Sequence, residues 1–129
     1  MKSAIDSSIL LDLLLDDPQF GVNSQKLLLK ARSEGALVIC EVVLAKISPA
    51  LSSQDLHLFL RDLSISFVPS TFESALMAGK ILSTYLRRTG KAKRVVPDFL
   101  IGAHALCCCD RLLARDRGFF EIILKDLKS

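Results

Sequence analysis

The chain has 129 residues, of which 50% are apolar and 24% are charged, so it can bury the core of one domain and is too apolar to be disordered. A net charge of +3 permits nucleic-acid binding without requiring it. The longest apolar run, Phe99 to Cys109, is too short to span a bilayer, and the acid at position 6 comes too early for a signal peptide. We therefore expect one cytoplasmic domain over residues 1–129, with no membrane association.

The predicted elements alternate between short strands and helices, separated by turn signals such as Asp16-Asp17-Pro18, Gly35 and Pro49. The predicted strands cover residues 2–6, 36–40, 65–68 and 111–114, followed by a turn at 116–120 and a last short strand at 122–124. The first helix is expected to run from a cap at Ser7 or Ser8 to about Asp16. The other predicted helices cover residues 19–33, 41–47, 53–63, 70–89 and 96–109. The helix at 70–89 is expected to face the core through Ala75, Ala78, Leu82 and Leu86. Strands separated by helices favour a parallel sheet covered on both faces.

Three aspartates fall where predicted strands end or helices begin. Asp6 ends the first strand, Asp98 follows a proline at the first turn of an apolar helix, and Asp116 follows the strand at 111–114. Ligands of parallel α/β sheets collect at the carboxyl ends of the strands, and oxygen ligands of this kind suit Mg²⁺ or Mn²⁺. Structural alternatives stay open for each residue: a helix N-cap at Asp6, a helix-dipole partner at Asp98, and a turn residue paired with arginine at Asp116.

Three segments resemble the signature segments of PIN domains, and most closely those of the VapC-like toxins of bacterial and archaeal toxin–antitoxin pairs. They are Ile5-Asp6-Ser7-Ser8-Ile9-Leu10, Val96-Pro97-Asp98-Phe99-Leu100-Ile101-Gly102-Ala103-His104-Ala105 and Leu112-Leu113-Ala114-Arg115-Asp116-Arg117-Gly118-Phe119-Phe120. The resemblance extends over essentially the whole chain. It implies a three-layer α/β/α domain with a central, mainly parallel sheet of about four to five strands. It also implies a Mg²⁺- or Mn²⁺-dependent endonuclease that acts on RNA and is blocked by a cognate antitoxin.

The resemblance also assigns roles to individual residues. Asp6, Asp98 and Asp116 would be the metal-binding, catalytic acids. Ser8 occupies the small-hydroxyl position two residues after the first aspartate, where it would orient a carboxylate or a water. The cation would lower the pKa of that water and neutralise charge on the scissile phosphate before in-line attack.

Lys46 is the main departure from the family pattern, because relatives usually carry glutamate at the end of a segment like 42–46. An ammonium about 5 Å from a divalent ion costs on the order of a few kcal/mol even at an effective dielectric of 20. Glu41 lies about 140° away around the helix, and Glu73 has no position assignable from the sequence. Lys46 could replace the metal's charge, point away, or be an inactivating change, and we predict weak or absent nuclease activity for the chain as it stands.

Residues 87–94 form a basic segment just before Asp98. We expect Arg88, Lys91, Lys93 and Arg94, together with Arg115, to bind RNA phosphates; the alternative is a solvated helix end and loop. Leucines at 10–15 and 27–29 predict either core or a surface for an antitoxin helix or a homodimer, and we expect a homodimer.

Two rival functions come from other classes. A phospho-accepting receiver domain needs paired acids directly after its first strand, but Asp16 and Asp17 lie beyond a helix. A non-catalytic PIN-like module that binds RNA or protein, with a decayed metal site, remains the alternative because of Lys46. A divalent ion held among Asp6, Asp98 and Asp116 would decide between this module and the nuclease.

Overall fold

A computed structural model describes residues 1–89 and 96–115. The strands are β1 (Ser3–Ile5), β2 (Leu37–Ile39), β3 (Ile65–Phe67) and β4 (Arg111–Leu113). The helices are α1 (Ser7–Leu14), α2 (Gly21–Glu34), α3 (Glu41–Ile47), α4 (Ser53–Asp62), α5 (Phe72–Thr89) and α6 (Val96–Cys108), with a 3₁₀ turn at Ser48–Ala50. The predicted turn at 116–120 and strand at 122–124 lie outside the described residues.

The four strands form one parallel sheet in the order β3-β2-β1-β4. Ala4 of β1 lies opposite Val38 on one side and Leu112 on the other. β1 and β2 are buried along their whole length, as expected for central strands that are covered on both faces. All four carboxyl ends therefore meet at one edge of the sheet, and the predicted parallel α/β fold is confirmed.

The two faces of the sheet carry different layers, because successive side chains of a strand point to opposite sides. Ile5, Leu37 and Ile39 pack in the main core with residues of α1 to α4. Ala4 and Val38 face the other way and pack with Ala105 of α6. The result is the three-layer α/β/α arrangement that the resemblance implies.

The N-cap of α1 lies one residue before the predicted caps. Asp6, and not Ser7 or Ser8, is the N-cap, because its side chain accepts a hydrogen bond from the Ser8 backbone N–H. A carboxylate at this position satisfies an orphan amide of the first turn and also suits the positive end of the helix dipole. The structural role considered for Asp6 is therefore confirmed.

Helix α5 packs antiparallel on α6, with the rings of Tyr85 and Phe99 centred 5.3 Å apart. Ala78 is buried and Leu82 packs against the same cluster, as predicted, but Ala75 and Leu86 are exposed. The buried face instead includes Ser74 and Ile81. Ser74 is accommodated because it exchanges hydrogen bonds with Thr71 at the helix start.

Candidate metal site at the carboxyl edge of the sheet

Asp6 lies at the carboxyl end of the central strand β1 and is largely buried, with 7% of its surface exposed. Its backbone N–H donates to the carbonyl of Leu113, which ties the ends of β1 and β4 together at 2.9 Å. Its Oδ2 accepts from the Ser8 hydroxyl at 2.6 Å and from the Ser8 N–H at 3.2 Å. The hydroxyl that was predicted to orient a carboxylate therefore does contact the first acid of the site.

Asp98 lies in the first turn of α6, on the same edge, and is paired with Lys46 of α3. The Lys46 Nζ is 3.3 Å from Asp98 Oδ1, and the side chains are 35% and 18% exposed, respectively. Lys46 thus points towards Asp98 and not away from it, which excludes one of its three explanations. The ammonium therefore lies beside a carboxylate that, by the resemblance, would be a metal ligand.

Neither Glu41 nor Glu73, the two residues considered in place of the expected glutamate, is available beside Asp98. Glu41, at the start of α3, accepts from the Ser70 hydroxyl at 2.7 Å and from the Ser70 N–H at 2.9 Å. Burial would raise the pKa of Glu41, but the Ser70 hydrogen bonds outweigh it and hold the pKa below its ordinary value. Glu73 lies near the thiol of Cys107, whose pKa is raised by burial and by the neighbouring Cys108 and Glu73. Cys107 is about 13 Å along α6 from Asp98.

Arg115 is held by protein groups beside the same edge. Its guanidinium lies 3.0 Å from Asp12 Oδ1 and 4.4 Å from the centre of the Phe20 ring. Its backbone N–H donates to the Ser8 hydroxyl oxygen at 3.1 Å. The side chain remains 43% exposed, so its predicted contact with RNA stays a prediction.

Asp12, the partner of Arg115, is a residue near this edge that the sequence patterns did not indicate. It is 2% exposed as a side chain and also accepts from the Ser24 hydroxyl at 2.7 Å. An acid within the leucine-rich stretch 10–15 was the available signal, because a carboxylate on a buried helix face requires a partner.

The remaining predicted site residues lie outside the described part of the chain. These are Asp116, Lys91, Lys93 and Arg94, together with the side chain of Arg88. Over residues 1–89 and 96–115, no three His, Cys, Asp or Glu side chains gather closely enough to hold a metal ion. Asp6 and Asp98 supply the hard oxygen donors that Mg²⁺ or Mn²⁺ prefers, so the donor chemistry fits such a cation, whereas the Lys46 ammonium opposes it.

An apolar groove of about 550 Å³ lies between α3 and α4, near the end of β3. Its apolar lining includes Leu44, Leu51, Leu56, Leu60 and Phe67. In the leucine-rich stretches, Leu10 and Leu28 are core residues, whereas Leu15 and Leu29 are exposed. None of the helices among the described residues is both long and apolar enough to cross a membrane.

The fold agrees with one protein family. The family model of the PIN domain matches residues 4–123, which is nearly the whole chain. This chain therefore belongs to the PIN domain family. No curated protein matches the sequence significantly.

Two solved structures share the fold at low sequence identity. VapBC2 from Rickettsia felis, bound to a DNA fragment from their promoter, is 20% identical with a TM-score of 0.68, covering 95% of this chain and 93% of that one. VapBC-1 from nontypeable Haemophilus influenzae is 19% identical with a TM-score of 0.71, covering 98% and 94%, respectively. The likeness extends over nearly the full length of this chain and of each matched chain, so they share one fold.

Proposed function

We propose that this chain is a divalent-cation-dependent endoribonuclease of the PIN family and the toxin component of a toxin–antitoxin pair, with low activity as it stands. The observation that carries the proposal is the position of Asp6 and Asp98 at the carboxyl edge of the sheet, in a chain that matches the PIN family model over residues 4–123. The similar fold of the two VapBC structures supports the same class.

In this proposal, residues at this edge divide into those that hold the cation, one that orients a carboxylate and those that bind RNA. Asp6, Asp98 and Asp116 would hold the Mg²⁺ or Mn²⁺ ion, which supplies positive charge for the scissile phosphate and an activated water. Ser8 holds Oδ2 of Asp6, and among the described residues Oδ1 makes no hydrogen bond. Arg115, with Arg88, Lys91, Lys93 and Arg94, would bind the RNA backbone and offset the repulsion between phosphates and the acids.

Lys46 accounts for the low activity in this proposal. Its ammonium is 3.3 Å from Asp98 Oδ1, where it competes with a cation for the same carboxylate. Replacing the family's glutamate by lysine changes the local charge by two units, and the pair is only partly exposed, so solvent screens it incompletely. Cation binding at Asp98 must therefore displace the ion pair first.

A non-catalytic PIN-like module that binds RNA or protein is the second candidate, and the same ion pair favours it. With Lys46 on Asp98, the edge loses negative charge without a metal, which lowers the repulsion of RNA phosphates. The two candidates therefore differ in whether a divalent cation can displace Lys46.

Partners follow from the proposed class. We propose that a cognate antitoxin covers the site, that the chain forms a homodimer and that it acts in the cytoplasm. The groove between α3 and α4 offers apolar surface of the kind that an antitoxin helix covers.

The test is cleavage of single-stranded RNA in Mn²⁺ by the chain and by its Lys46→Glu variant. We expect weak or no cleavage by the chain and clear cleavage by Lys46→Glu, lost again when Asp98→Asn is added. Lys80→Glu, an equal change of charge at an exposed lysine of α5, is the matched control and should leave cleavage unchanged.

Two outcomes would contradict the proposal in different ways. Equally strong cleavage by the chain and by Lys46→Glu would show that Lys46 does not limit the enzyme. No cleavage by either, combined with no Mn²⁺ binding by Lys46→Glu in calorimetry, would favour the non-catalytic module.

A further inference from the structure

Helix α5 carries large apolar side chains on the face that does not pack against α6. Phe72, Leu76 and Leu86 are 75%, 60% and 39% exposed, although the opposite face of the same helix packs in the core. Together with two small residues they form one row along the helix, at alternating spacings of four and three residues: Phe72, Leu76, Gly79, Ser83 and Leu86. We call this row the outer row of α5. A helix that is apolar on both faces, with one of them exposed, is typical of an interaction surface.

The middle of the outer row is open to a close approach by another helix. Gly79 is exposed, and among the described residues no other part of the fold lies within 4 Å of the place where a Cβ atom on Gly79 would stand. Ser83, the next residue of the row, is also small and exposed. The distance between two packed helices depends on the size of the side chains at their contact, so these two residues permit a short one.

The charges beside the outer row indicate which partner fits it. Glu73 lies in the first turn of α5, next to Phe72, and Arg87 lies in the last turn, next to Leu86; both charged residues are exposed. Each is seven residues from Lys80, so the three charges share one side of the row. A parallel copy of α5 would place like charges together, whereas an antiparallel copy places Glu73 of each helix beside Arg87 of the other. The surface is therefore complementary to itself under a two-fold rotation, as an interface between identical subunits must be.

We propose that the outer row of α5 is the surface through which two copies of this chain associate, with the two helices antiparallel and crossing near Gly79. Phe72 of each copy then packs beside Leu86 of the other, and Glu73 pairs with Arg87 at both ends. Lys80 comes near its own copy at the centre, where both side chains are long and exposed and solvent screens their repulsion. The inference rests on the homodimer of the proposed function and names its surface, and it requires neither a cation nor RNA.

The test is analytical ultracentrifugation of the full chain over a range of concentrations, with the charge reversed at either end of the row. Glu73→Arg and Arg87→Glu each create two like-charge contacts in the dimer, so we expect each to raise the dimer dissociation constant by about tenfold or more. A one-to-one mixture of the two variants contains only opposite-charge contacts, because one copy carries two arginines and the other two glutamates. We expect the mixture to associate as tightly as the unchanged chain, which a folding defect in either variant could not produce.

Matched controls make the same changes of charge elsewhere on the surface. Asp55→Arg reverses an exposed acid in the first turn of α4, and Lys30→Glu reverses an exposed lysine of α2. Both should leave self-association unchanged. Leu76→Lys places a charge within the row at an exposed position, so it should weaken association without disturbing the core.

Each other outcome would overturn a defined part of the inference. A chain that stays monomeric at every concentration would overturn the surface and the proposed homodimer together. A dimer that is unaffected by Glu73→Arg, Arg87→Glu and Leu76→Lys would overturn this surface and leave the homodimer to another one. Dissociation by both charge reversals without recovery in the mixture would overturn the antiparallel arrangement. RNA cleavage by Lys46→Glu is measured separately, so a failure of the proposed nuclease is distinguishable from a failure of this surface.

Discussion

Three acids of the described chain show two different kinds of partner. Asp6 and Glu41 each accept a hydrogen bond from a serine hydroxyl, at 2.6 and 2.7 Å. Asp98 is instead bound by the ammonium of Lys46, at 3.3 Å. A hydroxyl orients a carboxylate and leaves its negative charge in place, whereas an ammonium cancels that charge.

The difference separates two regions of the same sheet edge. On the side of β1, α1 and β4, the carboxylate of Asp6 is oriented by the neutral groups of Ser8. On the side of α3 and α6, the charge of Asp98 is neutralised from within the chain. The Lys46–Asp98 pair is therefore a local feature, and it affects one ligand of the proposed cation and not the fold.

The largest effect is expected from replacing Lys46, whose ammonium binds Asp98. In calorimetry, we expect Mn²⁺ affinity to increase from the unchanged chain to Lys46→Gln and again to Lys46→Glu, over a total of about 100-fold, or about 2.7 kcal/mol. Lys46→Gln is the matched control for loss of the ammonium without gain of a carboxylate. If Lys46→Gln binds Mn²⁺ no better than the unchanged chain, competition by the ammonium is not what limits binding.

An intermediate effect is expected from removing the Ser8 hydroxyl, on the side of β1, α1 and β4. Ser8→Ala removes the donor to Asp6 Oδ2 and the acceptor for the Arg115 N–H. We expect the free energy of unfolding in urea to fall by about 1–2 kcal/mol, because the partly buried Asp6 carboxylate loses one of its two donors and the Arg115 N–H loses its acceptor. Ser33→Ala, which removes an exposed hydroxyl on α2, should change it by less than about 0.5 kcal/mol. Equal losses in the two variants would mean that the Ser8 contacts contribute nothing special.

The smallest effect is a pH dependence from Glu41. Its pKa is lowered in the folded chain from the ordinary value of 4.5, so below that value the unfolded chain binds more protons than the folded one. The stabilisation by ionised Glu41 is therefore fully present above 4.5 and is lost as the pH falls through the folded pKa. Urea unfolding at several pH values should show a shallower acid dependence for Glu41→Gln than for the unchanged chain.

The control for this measurement is Glu73→Gln, which removes an exposed glutamate from the first turn of α5. It should retain the acid dependence of the unchanged chain. An acid dependence that is identical in Glu41→Gln and in the unchanged chain would show that the Ser70 hydrogen bonds do not couple to stability.

Most of the architecture could be predicted from local patterns. Short apolar runs, turn residues and helix periodicity predict β1 to β4 and the order of the helices, and α3 agrees with its predicted bounds at Glu41 and Ile47. The prediction of the buried face of α5 was partly wrong, since Ser74 and Ile81 are buried whereas Ala75 and Leu86 are exposed. Hydrophobicity disfavours a serine on a buried face, but its hydrogen bonds with Thr71 allow it there.

The sequence predicted the partner of an acid where the two are close along the chain, and it left the pairing of Lys46 with the acids as one of three alternatives. Ser8 lies two residues from Asp6, so its contact was foreseen from the motif. Ser70 lies 29 residues from Glu41, and Arg115 lies 103 residues from Asp12. Contacts over such separations depend on how helices pack on the sheet, which local patterns do not specify.

By itself, the sequence determined the parallel α/β class, the PIN-like segments and the place of Asp6 and Asp98 at strand and helix ends. These follow from residue periodicity and from the rule that parallel strands end at a common edge. Only the tertiary structure decided that Lys46 contacts Asp98 and that Asp12 holds Arg115, because each pair joins separate elements. The sequence does not specify which group a long charged side chain contacts, because packing brings the two together. Here packing placed the Lys46 ammonium beside Asp98, a carboxylate of the proposed metal site.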